Sequence, residues 1–218
     1  DRGLGAARNL GMKKAASEIV AMIDSDVILT RGWYKKLIRH FKNPKVAAAM
    51  GTCIYGYGCS PLERLCEYWR WRRREDWGCH NIIFRRDVVL GVGNFDETIR
   101  GAEEDYDLYS RLLDAGYKWV WDRNVVVYHP ANMGEYLNHV HWWAQGPHMH
   151  KIMREAMTNK SLLRIYCGTV MYAFRQGIIL SVCAHPTMLL YFPLIRIVQV
   201  ATGVEEVRKR LKPHHKRI

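Results

Sequence analysis

The chain has 218 residues, 49% of them hydrophobic and 25% charged, with a formal net charge of +12. This is the balance of a folded globular protein with ample length for a core, and it excludes collagenous, low-complexity and disordered chains. The charge is unevenly spread: residues 1–130 carry 21 basic and 17 acidic side chains, whereas residues 131–218 carry 12 and 4. A nearly balanced body therefore precedes a basic tail. The chain opens on Asp1-Arg2-Gly3 without an initiator methionine or a leader pattern, so a trimmed chain or a fragment is expected. Cys53, Cys59, Cys66, Cys79, Cys167 and Cys183 show no metal-ligand spacing and are expected to be reduced thiols in a cytosolic setting.

Residues 5–20 read as a helix with Leu10, Ala15 and Ile19 near helical spacing. The apolar run Val20-Ala21-Met22-Ile23 is then a short buried strand that delivers Asp24-Ser25-Asp26 at its C-terminal edge, where ligands bind in α/β sheets. A helix with Trp33, Leu37, Ile38 and Phe41 on one face is stopped by Asn43-Pro44, and a strand is expected over 46–50. A helix over 62–75 and a strand over 81–84 follow, with Gly91 and Gly93 marking a turn. Residues 104–115 form a helix closed by Gly116, before two strands at 118–121 and 125–128 that end on His129-Pro130. The alternation predicts an α/β sandwich with a mainly parallel sheet flanked by helices.

From about residue 131 the pattern changes to amphipathic helices rich in Trp, His and Met over 134–174. Residues 176–195 are uncharged, bounded by Arg175 and Arg196, and long enough to span a membrane. His185, Pro186 and Pro193 interrupt that stretch, which favours two short helices lying in a membrane interface. The tail from Arg208 to Arg217 holds six basic residues and no acid, an expected anchor to anionic lipid. The same features also suit an apolar helix pair packed on a domain, with a solvated tail.

Two carboxylate clusters carry the chemistry. Asp24 and Asp26 sit close enough to repel, so a divalent cation is a natural third member; a turn using Asp for its geometry is the plainer alternative. Glu103-Glu104-Asp105-Tyr106-Asp107 places four acids in five positions. A helix N-terminus favours one or two acids, but four crowd their charges and raise the pKa of at least one, as a general base requires. Gly101 before them permits a close approach or an unusual turn. His129, at a strand end, is either a structural histidine or a metal ligand, and the same choice applies to His139, His141, His148 and His150.

Gly5-Ala6-Ala7-Arg8-Asn9-Leu10-Gly11, Asp24-Ser25-Asp26, Phe84-Arg85-Arg86, Gly93-Asn94-Phe95-Asp96-Glu97 and Glu104-Asp105-Tyr106-Asp107-Leu108 occur in this order. The succession resembles the family 2 glycosyltransferases of GT-A fold over about residues 3–130. The resemblance implies a nucleotide-diphosphosugar donor, a divalent cation (Mg²⁺ or Mn²⁺) and inversion at the anomeric carbon. It implies that Asp105, next to Glu104, is the catalytic base, that Asp24 faces the donor ribose or sugar, and that Asp26 ligates the metal with His129. Arg8 would lie near the donor nucleotide, and Gly78 to Asn81 would line the sugar pocket. The family's nucleotide-base-binding unit normally precedes these motifs. Residues 1–130 are therefore expected to be the C-terminal portion of a GT-A catalytic domain, and residues 131–218 a membrane-associated helical region. The absence of Q-x-x-R-W favours a single-addition enzyme over a polymer synthase, with Trp142-Trp143-Ala144-Gln145-Gly146 as a source either of acceptor contacts or of helix packing. The expected setting is the cytoplasmic face of a membrane, with a glycan or lipid-linked acceptor.

Two other classes compete. A metal-dependent nucleotidyl or phosphoryl transferase would also use carboxylate-bound Mg²⁺, but the chain has no Gly-rich phosphate loop. A non-enzymatic basic module binding membrane or nucleic acid would use Trp69-Arg70-Trp71-Arg72-Arg73-Arg74. Glu63, Glu67, Glu75 and Asp76 surround that run, which favours a solvated helix face or a contact to an acceptor phosphate over nucleic acid.

Overall fold

The structure, a computed structural model, describes residues 3–56, 58, 60–99, 102–146, 151, 153–155, 157–158 and 162–211. Cys59, Gly101, His148, His150 and the tail beyond Leu211 lie outside the described residues. Two compact units are present, Asp1–Met133 and Gly134–Ile218.

The first unit is a five-stranded sheet with helices packed on it. In chain order it holds α1 (Leu4–Lys14), β1 (Ile19–Ile23), β2 (Ile28–Leu29), α2 (Trp33–Ile38), β3 (Val46–Tyr55), α3 (Pro61–Arg70), β4 (Asn81–Arg85), α4 (Arg86–Gly91), α5 (Glu104–Asp114) and β5 (Lys118–His129). The strand order is β1-β4-β3-β5-β2. Only the β3–β5 pair is parallel; β4 runs antiparallel to both β1 and β3, and β2 antiparallel to β5. The sheet is therefore mixed rather than mainly parallel. Strand alternation with helices could not show that β4 inserts between β1 and β3, because both neighbours are distant in sequence. β1, β3 and β5 nevertheless point the same way, so Asp24, Tyr55 and His129 emerge at one edge.

Burial follows the composition. β3, read as Val-Ala-Ala-Ala-Met-Gly-Thr-Cys-Ile-Tyr, is buried along almost its whole length, as a central strand covered on both faces must be. One cluster (Met12, Met50, Ile82, Phe84, Phe95, Leu108 and Leu112 among its members) lies under α1 and α5. The other, with Trp33, Leu37, Ile83, Val125 and Val127, lies under α2. α1 ends earlier than its sequence pattern suggests, since Ala15 is already extended and Ile19 belongs to β1. The two expected strands of 118–128 are one strand with an irregularity between its pairings to Gly51 and Thr52. Asp122 organises that bend: it accepts from Asn124 N (3.0 Å), Arg39 (2.9 Å) and His40 (2.8 Å).

The second unit contains α6 (Met133–Trp143), α7 (Leu162–Cys183) and α8 (Met188–Leu211). The expected pair of short interfacial helices is instead a hairpin of two long ones that turns at Ala184–Thr187, with Pro193 inside α8. Proline removes one backbone donor and clashes with the turn before it. Gly177 on α7 meets that turn closely: a Cβ there would lie 3.2 Å from Met188 O and 3.3 Å from Pro193 Cδ.

Candidate active site

α5 is preceded by Glu103 at φ +81, a left-handed conformation uncommon outside glycine. The three acids that follow it meet different fates. Glu104 is buried and ion-paired with Arg8, whose guanidinium also lies 5.6 Å from the Phe95 ring centroid. Asp107 pairs with Arg111 one turn later at 2.5 Å. Asp105 is half-buried and has no ion pair of its own among the described residues. Burial first, and the Glu104 charge second, push its pKa up to about 6, against the opposing pull of Arg8 and the Tyr106 amide.

Arg8 is placed by a backbone lock. Asn9 accepts from Phe95 N and donates to Phe95 O, both at 2.9 Å, while Arg111 donates to the carbonyls of Val92 and Asn94 at 2.7 Å. The Gly93-Asn94-Phe95 turn thereby ties α1 to α5. Burial opposes the Arg8 charge, but Cys79, Glu104, Asp105 and Asp24 together hold its pKa above the ordinary value. Asp24 is in the same electrostatic neighbourhood, with its amide donating to His80 O at 3.2 Å.

At the adjacent strand ends, His129 Nε2 lies 3.3 Å from Asp26 Oδ2. The imidazole is 7% exposed and the carboxylate 59%, so the pair opens outward. Tyr55 stacks on the His129 ring with centroids 4.8 Å apart. Neighbouring ligands on an octahedral Mg²⁺, each at about 2.0–2.1 Å, are separated by about 3 Å, so the pair fits two positions of one cation. Among the described residues no group of three or more His, Cys, Asp or Glu side chains gathers in this way. Such a cation would draw its remaining ligands from elsewhere.

His80 enters the sequence reading only within the span from Gly78 to Asn81. Its ring packs against Gly78, where a Cβ would lie 2.5 Å from two ring atoms, and its Nε2 is buried without a hydrogen-bond partner. Burial lowers its pKa, opposed by Asp76, Asp24 and Asp105, which locates it between both carboxylate clusters. Its position one residue before a strand that starts at the ligand-binding edge was the available signal. Asn81, expected to line the sugar pocket, opens β4. It is fully buried, exchanges hydrogen bonds with Gly51 N (2.8 Å) and Gly51 O (3.3 Å), and accepts from Trp33, so it braces β4 against β3. The Cys53 and Cys79 thiols are pushed up by burial and are inert at neutral pH. All five described cysteines are free. In the second unit, His141 bonds Thr202 at 2.8 Å and His139 packs edge-on to Trp143, which makes both structural.

Carboxylates, an arginine and histidines thus gather at one strand edge of a mixed α/β sheet, where ligands bind in such folds, and the sheet flanked by helices is GT-A-like. Residues 1–90 match the model for glycosyl transferase family 2. It is 31% identical over 145 residues to a pre-mycofactocin glycosyltransferase of Mycobacterium tuberculosis, covering 59% of this chain and 30% of that protein. It is 29% identical over 111 residues to a glucosyl-dolichyl phosphate glucuronosyltransferase of Haloferax volcanii, covering 44% and 35%. A mannosyltransferase from Pyrobaculum calidifontis, solved in complex with GDP-Man and Mn²⁺, superposes with a TM-score of 0.58 at 16% identity, covering 96% of this chain and 68% of that one. The chain spans less than half the length of the curated relatives it matches.

Proposed function

We propose that this chain carries the catalytic edge of an inverting, metal-dependent glycosyltransferase, moving a sugar from a nucleotide-diphosphosugar to a hydroxyl of a glycan or lipid-linked acceptor. One observation carries the reading above all: Asp105, half-buried and with no ion pair of its own among the described residues, has a pKa raised to about 6. Such a carboxylate is ionised at neutral pH yet basic enough to take a proton from a hydroxyl. The match of residues 1–90 to the family 2 model and the GDP-Man and Mn²⁺ bound by the mannosyltransferase of like fold support the donor class.

Asp105 removes the acceptor proton as the hydroxyl oxygen attacks the anomeric carbon. Attack from the face opposite the leaving nucleoside diphosphate inverts the configuration. Glu104 keeps Asp105 basic and is itself held by Arg8. The cationic Arg8 also lies beside Asp24, where it meets the donor's negative charge. Asp24 contacts the donor ribose or sugar, and Gly78 leaves room beside it by having no side chain. Asp26 and His129 hold the divalent cation, which when bound supplies charge neutralisation of the diphosphate leaving group. The exposed apolar helices of the second unit support a setting at a membrane, which we read as its cytoplasmic face, where a lipid-linked acceptor is at hand.

The test is an assay for nucleoside diphosphate released from a panel of nucleotide sugars with Mn²⁺. Acceptor-dependent diphosphate release that stops on chelation is expected. Release of pyrophosphate, or turnover indifferent to chelation, would contradict the reading.

A further inference from the structure

Uncharged residues 176–195 occupy the tip of the α7–α8 hairpin, and the arginines bounding them occupy equivalent heights. Arg175 is eight residues before the end of α7, and Arg196 is eight residues after the start of α8. At a rise of 1.5 Å per residue each arm of the tip is about 12 Å long. A single leaflet's hydrocarbon layer is about 15 Å deep, half of a bilayer core of about 30 Å. The tip with its turn therefore matches one leaflet and not two.

Within the tip the side chains divide between a face that joins the arms and an apolar outer face, although on α7 exposed apolar side chains such as Met171 and Phe174 continue beyond Arg175. Leu180, Met188 and Phe192 are buried and join the two arms. Ile178, Val182, Leu189, Leu190 and Leu194 point outward, Val182 being 84% exposed and Leu190 75%. The polar groups at the tip are satisfied locally: His185 Nδ1 lies 2.9 Å from Thr187 Oγ1, and Ser181 donates to Ile178 O at 2.7 Å. At the level of the arginines, the Arg196 guanidinium sits 5.5 Å from the Tyr172 ring centroid. Arginine with tyrosine is the pairing of a membrane–water interface. Below that level α8 changes character, with Val200, Val204 and Val207 packed on Met153 and Glu205 paired to Lys209. Both helices are long and apolar enough to cross a bilayer. A crossing, however, would set Arg175 and Arg196 near its midplane, where charge is costly and normally paired.

We propose that residues 176–195 form a re-entrant hairpin that enters one leaflet of an anionic bilayer, with Arg175 and Arg196 at the phosphate level and the turn at 184–187 near the midplane. This sharpens the membrane association within the proposed function and does not depend on the transfer chemistry.

Two native cysteines make the test. Cys183 is exposed at the tip, and Cys167, also exposed, is two turns outside Arg175. The chain is mixed with sealed vesicles of phosphatidylcholine and phosphatidylglycerol, floated, and treated with a membrane-impermeant maleimide, with labelling of each cysteine read by peptide mass spectrometry. Flotation is expected, with Cys183 labelling reduced about tenfold or more while Cys167 remains reactive, as a tip in hydrocarbon requires. Protection should vanish in detergent, and Val182→Glu with Leu190→Glu should abolish flotation. Cys183 reactive from outside on floated vesicles would overturn the hairpin, as would labelling by reagent trapped inside them, which marks a full crossing. Failure to float, with the tip covered by protein or by a second copy, would overturn membrane association as well. None of these outcomes touches the sugar-transfer reading, which the diphosphate assay tests separately.

Discussion

Glu104 and Asp107 each face an arginine at the start of α5, and Asp105 is left to carry its charge in a half-buried place. Two consequences are measurable. The base form must be ionised, so kcat/KM is expected to rise about tenfold per pH unit below pH about 6 and to level off above it. For stability, the folded-state pKa lies above the unfolded value, so the fold favours the protonated acid. Its stabilising contribution is fully present below pH about 4 and is lost as pH rises through about 6. Asp105→Asn should therefore nearly match the parent in urea at pH 4 and exceed it by about 3 kcal/mol at pH 8. Arg8→Met acts oppositely. Leaving Glu104 buried and unpaired should cost about 3–5 kcal/mol, read in the same denaturation experiment. It should also move the ascending limb of the pH profile alkaline, because Arg8 lowers the Asp105 pKa.

Among the elements, β3 and β4 show how tightly the site's support is built. A Cβ on Gly51 would lie 2.5 Å from Val125 O and 2.7 Å from Asn81 Oδ1, both fixed by the sheet. Gly51→Ala is expected to destabilise by about 1–3 kcal/mol in thermal or urea unfolding. Gly11→Ala in α1, where nothing lies within 4 Å, should stabilise by about 0.5–1 kcal/mol. This bracing was not legible in the sequence. Asn81 in Gly78-Cys79-His80-Asn81 read as a polar residue near a pocket, because nothing local reveals a partner thirty residues away. His80, within the same span, drew no notice of its own for the same reason, its significance lying in the Gly78 gap and distant carboxylates. The local signals did carry over: the apolar runs became β1, β3 and β4, and Gly116 at φ +84 closes the turn after α5. The order of strands and the joining of two strands into β5 depend on long-range pairing and on the Asp122 bend, which no local pattern encodes.

For the whole molecule, the +12 charge first invited a nucleic-acid reading, but the structure divides its causes. The first unit is nearly balanced and uses its cations pairwise, as Arg39 and His40 on Asp122 and Arg85 on Glu18 show. The second holds an apolar hairpin bounded by arginines. The proposed function needs donor binding by the first unit through Asp26 and His129. Isothermal titration with GDP or UDP is expected to show binding that requires Mn²⁺ and weakens about tenfold or more in Asp26→Ala, since the carboxylate is one of two protein ligands offered.

Asp105→Asn decides most about the chemistry. The measurement is transfer from a donor that turns over in the parent protein, with product configuration read by NMR and donor affinity by calorimetry. Transfer should fall by about a thousandfold or more, donor affinity should be unchanged, and the residual product should keep the inverted anomeric configuration. Normal turnover by Asp105→Asn, or a product of retained configuration, would contradict the assignment of Asp105 as the base.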